Sequence, residues 1–176
     1  MPDDEDAADG DPAAAAAAND PADDPAAAAA REQRRLRLVA AFAANVPHDR
    51  ACGREVVEVT REAVVFRLPY DPKLVGNPDT GTLHGGAITA LLDGASGASV
   101  FAALTELVPI ATLDLRIDYL RPAEPGRAVM ARATCYRITR NVAFTRAVAY
   151  HDDPADPIAH SVGTFMLSTR SGSARP

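Results

Sequence analysis

The sequence predicts an α+β fold in which an antiparallel sheet curls around one long helix, and three observations carry that prediction. Residues 84–104 are apolar apart from a single charge, Asp93, a run too long for one strand and too apolar for a helix exposed all round. Two β-rich runs precede it, at 54–60 and 63–69, and four follow, at 112–119, Val129–Ile138, Val142–Tyr150 and 158–168. The order is helix, two strands, long helix, four strands, with no internal repeat. That pattern suits one two-layer domain.

The elements follow in chain order. Residues 1–30 hold nine acids, no base, four prolines and many alanines. Such a segment buries too little surface to offset its ordering entropy and reads as a disordered acidic tail. It accounts for the formal net charge of −6, because residues 31–176 carry 15 acids against 18 bases. Those residues suit a single domain, and so weak a positive balance predicts no nucleic-acid partner. Residues 31–45 read as a helix, with Leu36, Val39 and Ala43 on one stripe, Leu38 and Phe42 beside it, and Pro47 as its stop. The runs 54–60 and 63–69, separated by Arg61 and Glu62, form a hairpin. Residues 70–83 contain Pro72, Gly76, Pro78 and Gly81 and read as a loop. In 112–119, Leu113, Leu115, Ile117 and Tyr119 alternate with Thr112, Asp114, Arg116 and Asp118, the pattern of a half-buried strand.

Several functions are excluded early. Cys52 and Cys135 have neither the number nor the spacing of a disulfide framework or zinc site. The acidic amino terminus lacks the basic and apolar regions of a secretory signal, which predicts a cytoplasmic location. Asp93 would cost about 2.5–3.5 kcal/mol within a bilayer, so the long helix is expected to be buried in protein rather than in a membrane. His48, His151 and His160 form no metal pattern. The chain has no Gly-x-Ser-x-Gly elbow and no P-loop lysine.

What remains is the segment Gly81-Thr82-Leu83-His84-Gly85-Gly86 and the acid that follows it. Glycines at a loop-to-helix junction allow close approach to the free N–H groups of the first turn, a place suited to stabilising an oxyanion. His84 can fix that loop through hydrogen bonds. Asp93 is the only charge between Gly85 and Thr105, and buried carboxylates are rare unless paired or used. Leu91, Leu92, Val100 and Phe101 can line a pocket or belong to the core.

Gly-Thr-Leu-His-Gly-Gly with an acid nine residues after its histidine resembles the hotdog-fold thioesterases of the phenylacetic acid degradation (PaaI) type. Residues 111–123, with Asp118-Tyr119-Leu120-Arg121-Pro122, then Gly126, and residues 158–165 extend the resemblance. It implies a hotdog fold and hydrolysis of an acyl-CoA or aryl-CoA thioester, with coenzyme A as part of the substrate and no separate cofactor or metal. Carried over, it makes Asp93 the general base or nucleophile. The Gly85 N–H polarises the carbonyl, with His84 supporting the loop and Gly86 beside the substrate, while Thr112 orients the attacking water. The family often has an asparagine six residues before the histidine, where this chain has Pro78; Asn77, one residue earlier, is the candidate. Arg121 and Arg140 are candidates for coenzyme A phosphates, although the turn 137–141 lacks the family's glycine. Alternatives on the same fold are a non-catalytic acyl-CoA-binding module and a dehydratase. The dehydratase needs a histidine base and a second acid that this pattern does not supply.

Helix geometry adds an expectation about assembly. Gly85 and Asp93 lie roughly 12 Å apart along one helix, whereas a reacting carbonyl sits about 3 Å from both its donor and its attacking group. Two antiparallel copies can bring the groups together. The expected assembly is a homodimer with shared sites, or a tetramer built as a dimer of dimers.

Overall fold

A computed structural model describes residues 25–168 of the chain. Helix α1 runs Pro25–Ala44, so residues 25–30, expected to be disordered, are helical. The physical reason is local: proline is preorganised for a first helical position, and the alanine run after it has the highest helix propensity. Residues 1–24, the rest of the expected tail, lie outside the described residues. The compact unit that begins at Arg34 contains all the remaining elements.

Pro47 does not merely end α1. It opens a short second helix, α2 (Pro47–Ala51), which the sequence pattern did not reveal. Strands β1 (Glu55–Val59) and β2 (Val64–Leu68) form the expected hairpin. The segment expected to be a loop contains a 3-10 turn, Pro72–Leu74, and a small hairpin of β3 (Val75–Asn77) and β4 (Thr82–Leu83). Helix α3 (Gly85–Ala103) follows, then β5 (Ile110–Tyr119), β6 (Val129–Ile138), β7 (Val142–Tyr150) and β8 (Pro157–Leu167). The main sheet is antiparallel with strand order β1-β2-β6-β7-β8-β5, and α3 packs on it.

Side-chain size sets that packing. Ile88, Leu91, Leu92 and Ala95 of α3 are buried in one core cluster with Val64, Phe66 and Leu68 of β2. Facing positions on β6 and β7 are Ala131, Ala133, Ala147 and Ala149, and such small residues let the helix lie close to the sheet. Leu91, Leu92 and Val100 are therefore core residues. At the far end, Arg35 of α1 donates through Nη1 to Phe101 O (2.8 Å) and through Nη2 to Ala102 O (2.7 Å). A cation thus meets the carbonyls that end α3, where the helix dipole favours it.

Strand β5 departs from the period-two expectation. Its register against β8 shifts between Thr112 and Asp114, so Leu113 is an extra residue. Below the bulge Leu115 and Ile117 are half-buried, but Leu113 is 57% exposed. Thr112, which simple alternation groups with the solvent-facing Asp114, instead pairs with the buried Phe165 and turns toward α3. Bulges re-aim side chains in this way.

Candidate active site

The solvent-facing strip of α3 is narrow and lined by small residues. Ala90, Asp93, Gly94, Gly97 and Phe101 all border one cavity of ≈ 550 Å³. The opposite wall comes from α1, through Val39 and Phe42, and from Ile110, Thr112 and Phe165 of the sheet. Phe101, left open between pocket and core, lines the cavity and meets Phe42 edge to face with centroids 5.6 Å apart. A mid-helix glycine costs about 1 kcal/mol relative to alanine. Gly94 and Gly97 therefore point to space that is needed beside the helix.

Asp93 sits in the wall of this cavity, and its one hydrogen-bond partner among the described residues is Thr112. Thr112 Oγ1 donates to Asp93 Oδ1 at 3.0 Å. The other carboxylate oxygen keeps its acceptor capacity, and the bond depends on the β5 bulge. The two residues stand side by side.

Two turns away, the start of α3 is tied from several sides. His84 is the N-cap, with its Nδ1 accepting from the Gly86 N–H at 2.9 Å. That leaves Nε2 to carry the proton in the neutral ring. Gly86 is thus occupied locally, and a Cβ there would stand 2.8 Å from Nδ1. The Ala87 N–H bonds to His84 O at 2.9 Å. Among the described residues, the Gly85 N–H finds no acceptor, as expected of a first-turn donor. Tyr119, at the end of β5, donates from its hydroxyl to Gly85 O at 2.7 Å and lies 3.0 Å from Thr89 Oγ1. Beneath His84, a Cβ on Gly76 would approach the His84 Cα to 2.8 Å, so the β3 strand can pass only as glycine.

The other candidates stand apart. Asn77 makes the β3–β4 turn, its Oδ1 accepting from the Asp79 N–H at 3.0 Å, and it borders neither the Asp93 cavity nor the one beside His84. Arg121 is engaged by Asp156, through the carboxylate at 2.8 Å and the backbone carbonyl at 3.0 Å. Arg140 is exposed in the β6–β7 turn.

Sequence reasoning missed the polar base of the cavity. Asp49 of α2 and Arg54, just before β1, are buried partners that line it together with His48. Burial pushes the Asp49 carboxyl up while Arg54 pulls it back down; burial likewise lowers Arg54, which stays charged. An aspartate in so short a helix gave no periodic signal, and only the pairing in space reveals it.

A sheet wrapped on one central helix, with an acid in the helix's exposed strip and an open N–H at its first turn, defines the hotdog class. The comparisons agree. Residues 80–158 match the Thioesterase superfamily. Over 146 residues the chain is 33% identical to the medium/long-chain acyl-CoA thioesterase YigI of Escherichia coli (strain K12), spanning 75% of this chain and 93% of YigI. A crystal structure of a Pseudomonas aeruginosa protein superposes with a TM-score of 0.69 at 45% identity, covering 76% of this chain and 98% of the other. A mutant of the phenylacetic acid degradation protein PaaI from Thermus thermophilus superposes with a TM-score of 0.62 at 26% identity, covering 70% and 100%. The chain belongs to the thioesterase superfamily.

Proposed function

We propose that this protein hydrolyses acyl-CoA thioesters, with the acyl chain in the cavity between α1 and α3 and Asp93 at the scissile bond. The observation that carries the reading is the Thr112–Asp93 hydrogen bond at the wall of a mostly apolar cavity. It presents a carboxylate, oriented on one oxygen, to whatever fills that space. In this scheme the carboxylate takes a proton from water as the water adds to the thioester carbonyl. The tetrahedral oxyanion is held by the N–H of Gly85 of the partner subunit, and collapse expels coenzyme A as its thiolate. Aimed backbone donors of this kind stabilise charge as it develops. A direct attack by Asp93 through an acyl-anhydride is the competing role for the same residue.

A homodimer is part of this reading, supported by the unbroken α3, which keeps Gly85 and Asp93 roughly 12 Å apart. The sheet supports it, since among the described residues β5 pairs only with β8 and leaves its other edge beside exposed Leu113 and Tyr119. An unprotected apolar edge strand is a pairing surface.

For the substrate, the likeness to YigI and the apolar walls at Val39, Phe42, Phe101 and Phe165 favour a medium or long alkyl chain over an aryl group. The test is a series of alkyl- and aryl-CoA thioesters incubated with the protein and a thiol reagent. Release of free coenzyme A is expected, fastest with the alkyl series. Tight binding with thiol never released would make the protein a binding module instead.

Two variants refine the reading. Phe101→Ala removes one ring of the aromatic pair at the end of the cavity, and should move the preferred chain length upward by several carbons. An unchanged preference in kcat/KM would take the acyl chain out of this cavity. Thr112→Val keeps size and strand propensity but deletes the hydrogen bond to Asp93. Because a bond to a charged group contributes about 1.5–3 kcal/mol, kcat is expected to drop by ~10-fold or more, yet by less than on loss of Asp93. A fully active variant would remove Thr112 from the site.

A further inference from the structure

The two glycines in the middle of α3 have different causes. A glycine inside a helix weakens it relative to alanine, so each needs a reason in its surroundings. At Gly94 the reason is packing. A Cβ there would overlap Nη1 of Arg54, whose guanidinium is held by Asp49 and lies 4.3 Å from the centroid of the Phe66 ring. At Gly97 packing supplies no such reason. A Cβ there would lie 3.6 Å from Phe165 Cε1 and 3.8 Å from Ile110 Cδ1, with no further atom of the opposite wall within 4 Å. Those are ordinary carbon–carbon contacts. Alanine would fit at position 97 and strengthen the helix, yet the chain carries glycine.

The place of Gly97 in the cavity supplies the reason. Gly97, Ile110 and Phe165 all line the space that Asp93 borders. Asp93, Gly97 and Phe101 follow one another at intervals of four residues, so they share one face of α3. Gly97 therefore stands midway, about 6 Å along the axis from each of the other two. An alkyl group that runs from a thioester at Asp93 to the Phe42–Phe101 pair must pass it, and a methyl group at position 97 would project from the helix toward the sheet, into that path. We propose that Gly97 is a specificity-determining residue for acyl-chain length: its missing side chain keeps the middle of the cavity open, so that chains long enough to reach Phe101 are accepted. This inference rests on the reading of the cavity as the acyl site with Asp93 at the scissile bond. The roles of the two residues differ. Phe101 closes the end of the cavity, whereas Gly97 decides whether a chain can reach that end.

The experiment measures kcat/KM for thiol release from butanoyl-CoA and from dodecanoyl-CoA. In Gly97→Ala the ratio of dodecanoyl to butanoyl activity should fall at least about tenfold, the lower range for one misplaced methylene in an apolar pocket. The melting temperature should rise at the same time, because alanine is the better helix former. A glycine kept for packing alone would do the reverse, lowering the melting temperature and both activities together. Gly97→Leu should deepen the loss on dodecanoyl-CoA. In that background Phe101→Ala should no longer lengthen the preferred chain, since the obstruction lies ahead of it. If Gly97→Leu does not fold, the combination is made with Gly97→Ala, whose added carbon meets only ordinary contacts. A ratio left at its wild-type value, or equal losses on both substrates, overturns the inference. The underlying reading is judged separately. Activity lost in Asp93→Asn with an unmoved ratio in Gly97→Ala sinks only the role of Gly97, whereas a wild type that releases thiol from neither substrate sinks both.

Discussion

Asp93→Asn is expected to lower turnover by at least about a hundredfold, the lower range for losing a general base, while acyl-CoA still binds. The amide fills the same volume and can still accept from Thr112 Oγ1, so the local structure should hold. What disappears is the ability to take a proton or to attack the carbonyl. Asp93 is the only charge on the exposed strip of α3, facing a cavity whose other polar members are Thr112, His48 and the buried pair Asp49 and Arg54. No neighbouring carboxylate hydrogen-bonds to Thr112 among the described residues. Turnover within a few-fold of wild type, in a variant shown to be folded, would end the assignment.

The second large effect concerns shared sites. Gly85→Pro removes the N–H proposed to hold the oxyanion. Proline suits the first helical position, and His84 already has the extended backbone, with ψ at 134°, that a following proline requires. A Cβ at Gly85 would lie 3.3 Å from the Tyr119 hydroxyl, so circular dichroism must show that the helix survives. Gly85→Pro and Asp93→Asn are each expected to be inactive. Dissociated, mixed and reassociated, they should recover about a quarter of wild-type activity. Random pairing makes half the dimers mixed, and in each of these one site carries both lesions and the other neither. No recovery, despite demonstrated subunit exchange, would mean that each chain holds a complete site.

The sequence was most legible where a period ran long. The apolar run with one acid announced α3, and β6 and β7 fall where alternation and turn residues put them. Alternation failed at β5, because one bulge residue reverses which side faces the helix and no residue type there declares a bulge. It was Thr112, the partner of Asp93, that this error turned outward, and only the family resemblance pointed to it. Pro47 marks the end of α1, but a proline can equally open a helix, so the pattern hides α2 and Asp49 with it. The polyalanine before residue 31 belongs by composition to the acidic tail, whereas its helix propensity favours α1. Arg54 was hidden for a different reason: a cation beside a β-rich run looks solvated until the glycine that admits it is seen across the space between elements.

The most direct test of the whole account is a single-turnover experiment. Wild-type protein in excess over a saturated long-chain acyl-CoA is mixed with a thiol reagent, and the same is done with Asp93→Asn. The account predicts stoichiometric thiol release by the wild type and release slowed at least about a hundredfold in the variant, with acyl-CoA bound to both. Release at equal rates, or acyl-CoA recovered intact from the wild type, would contradict it.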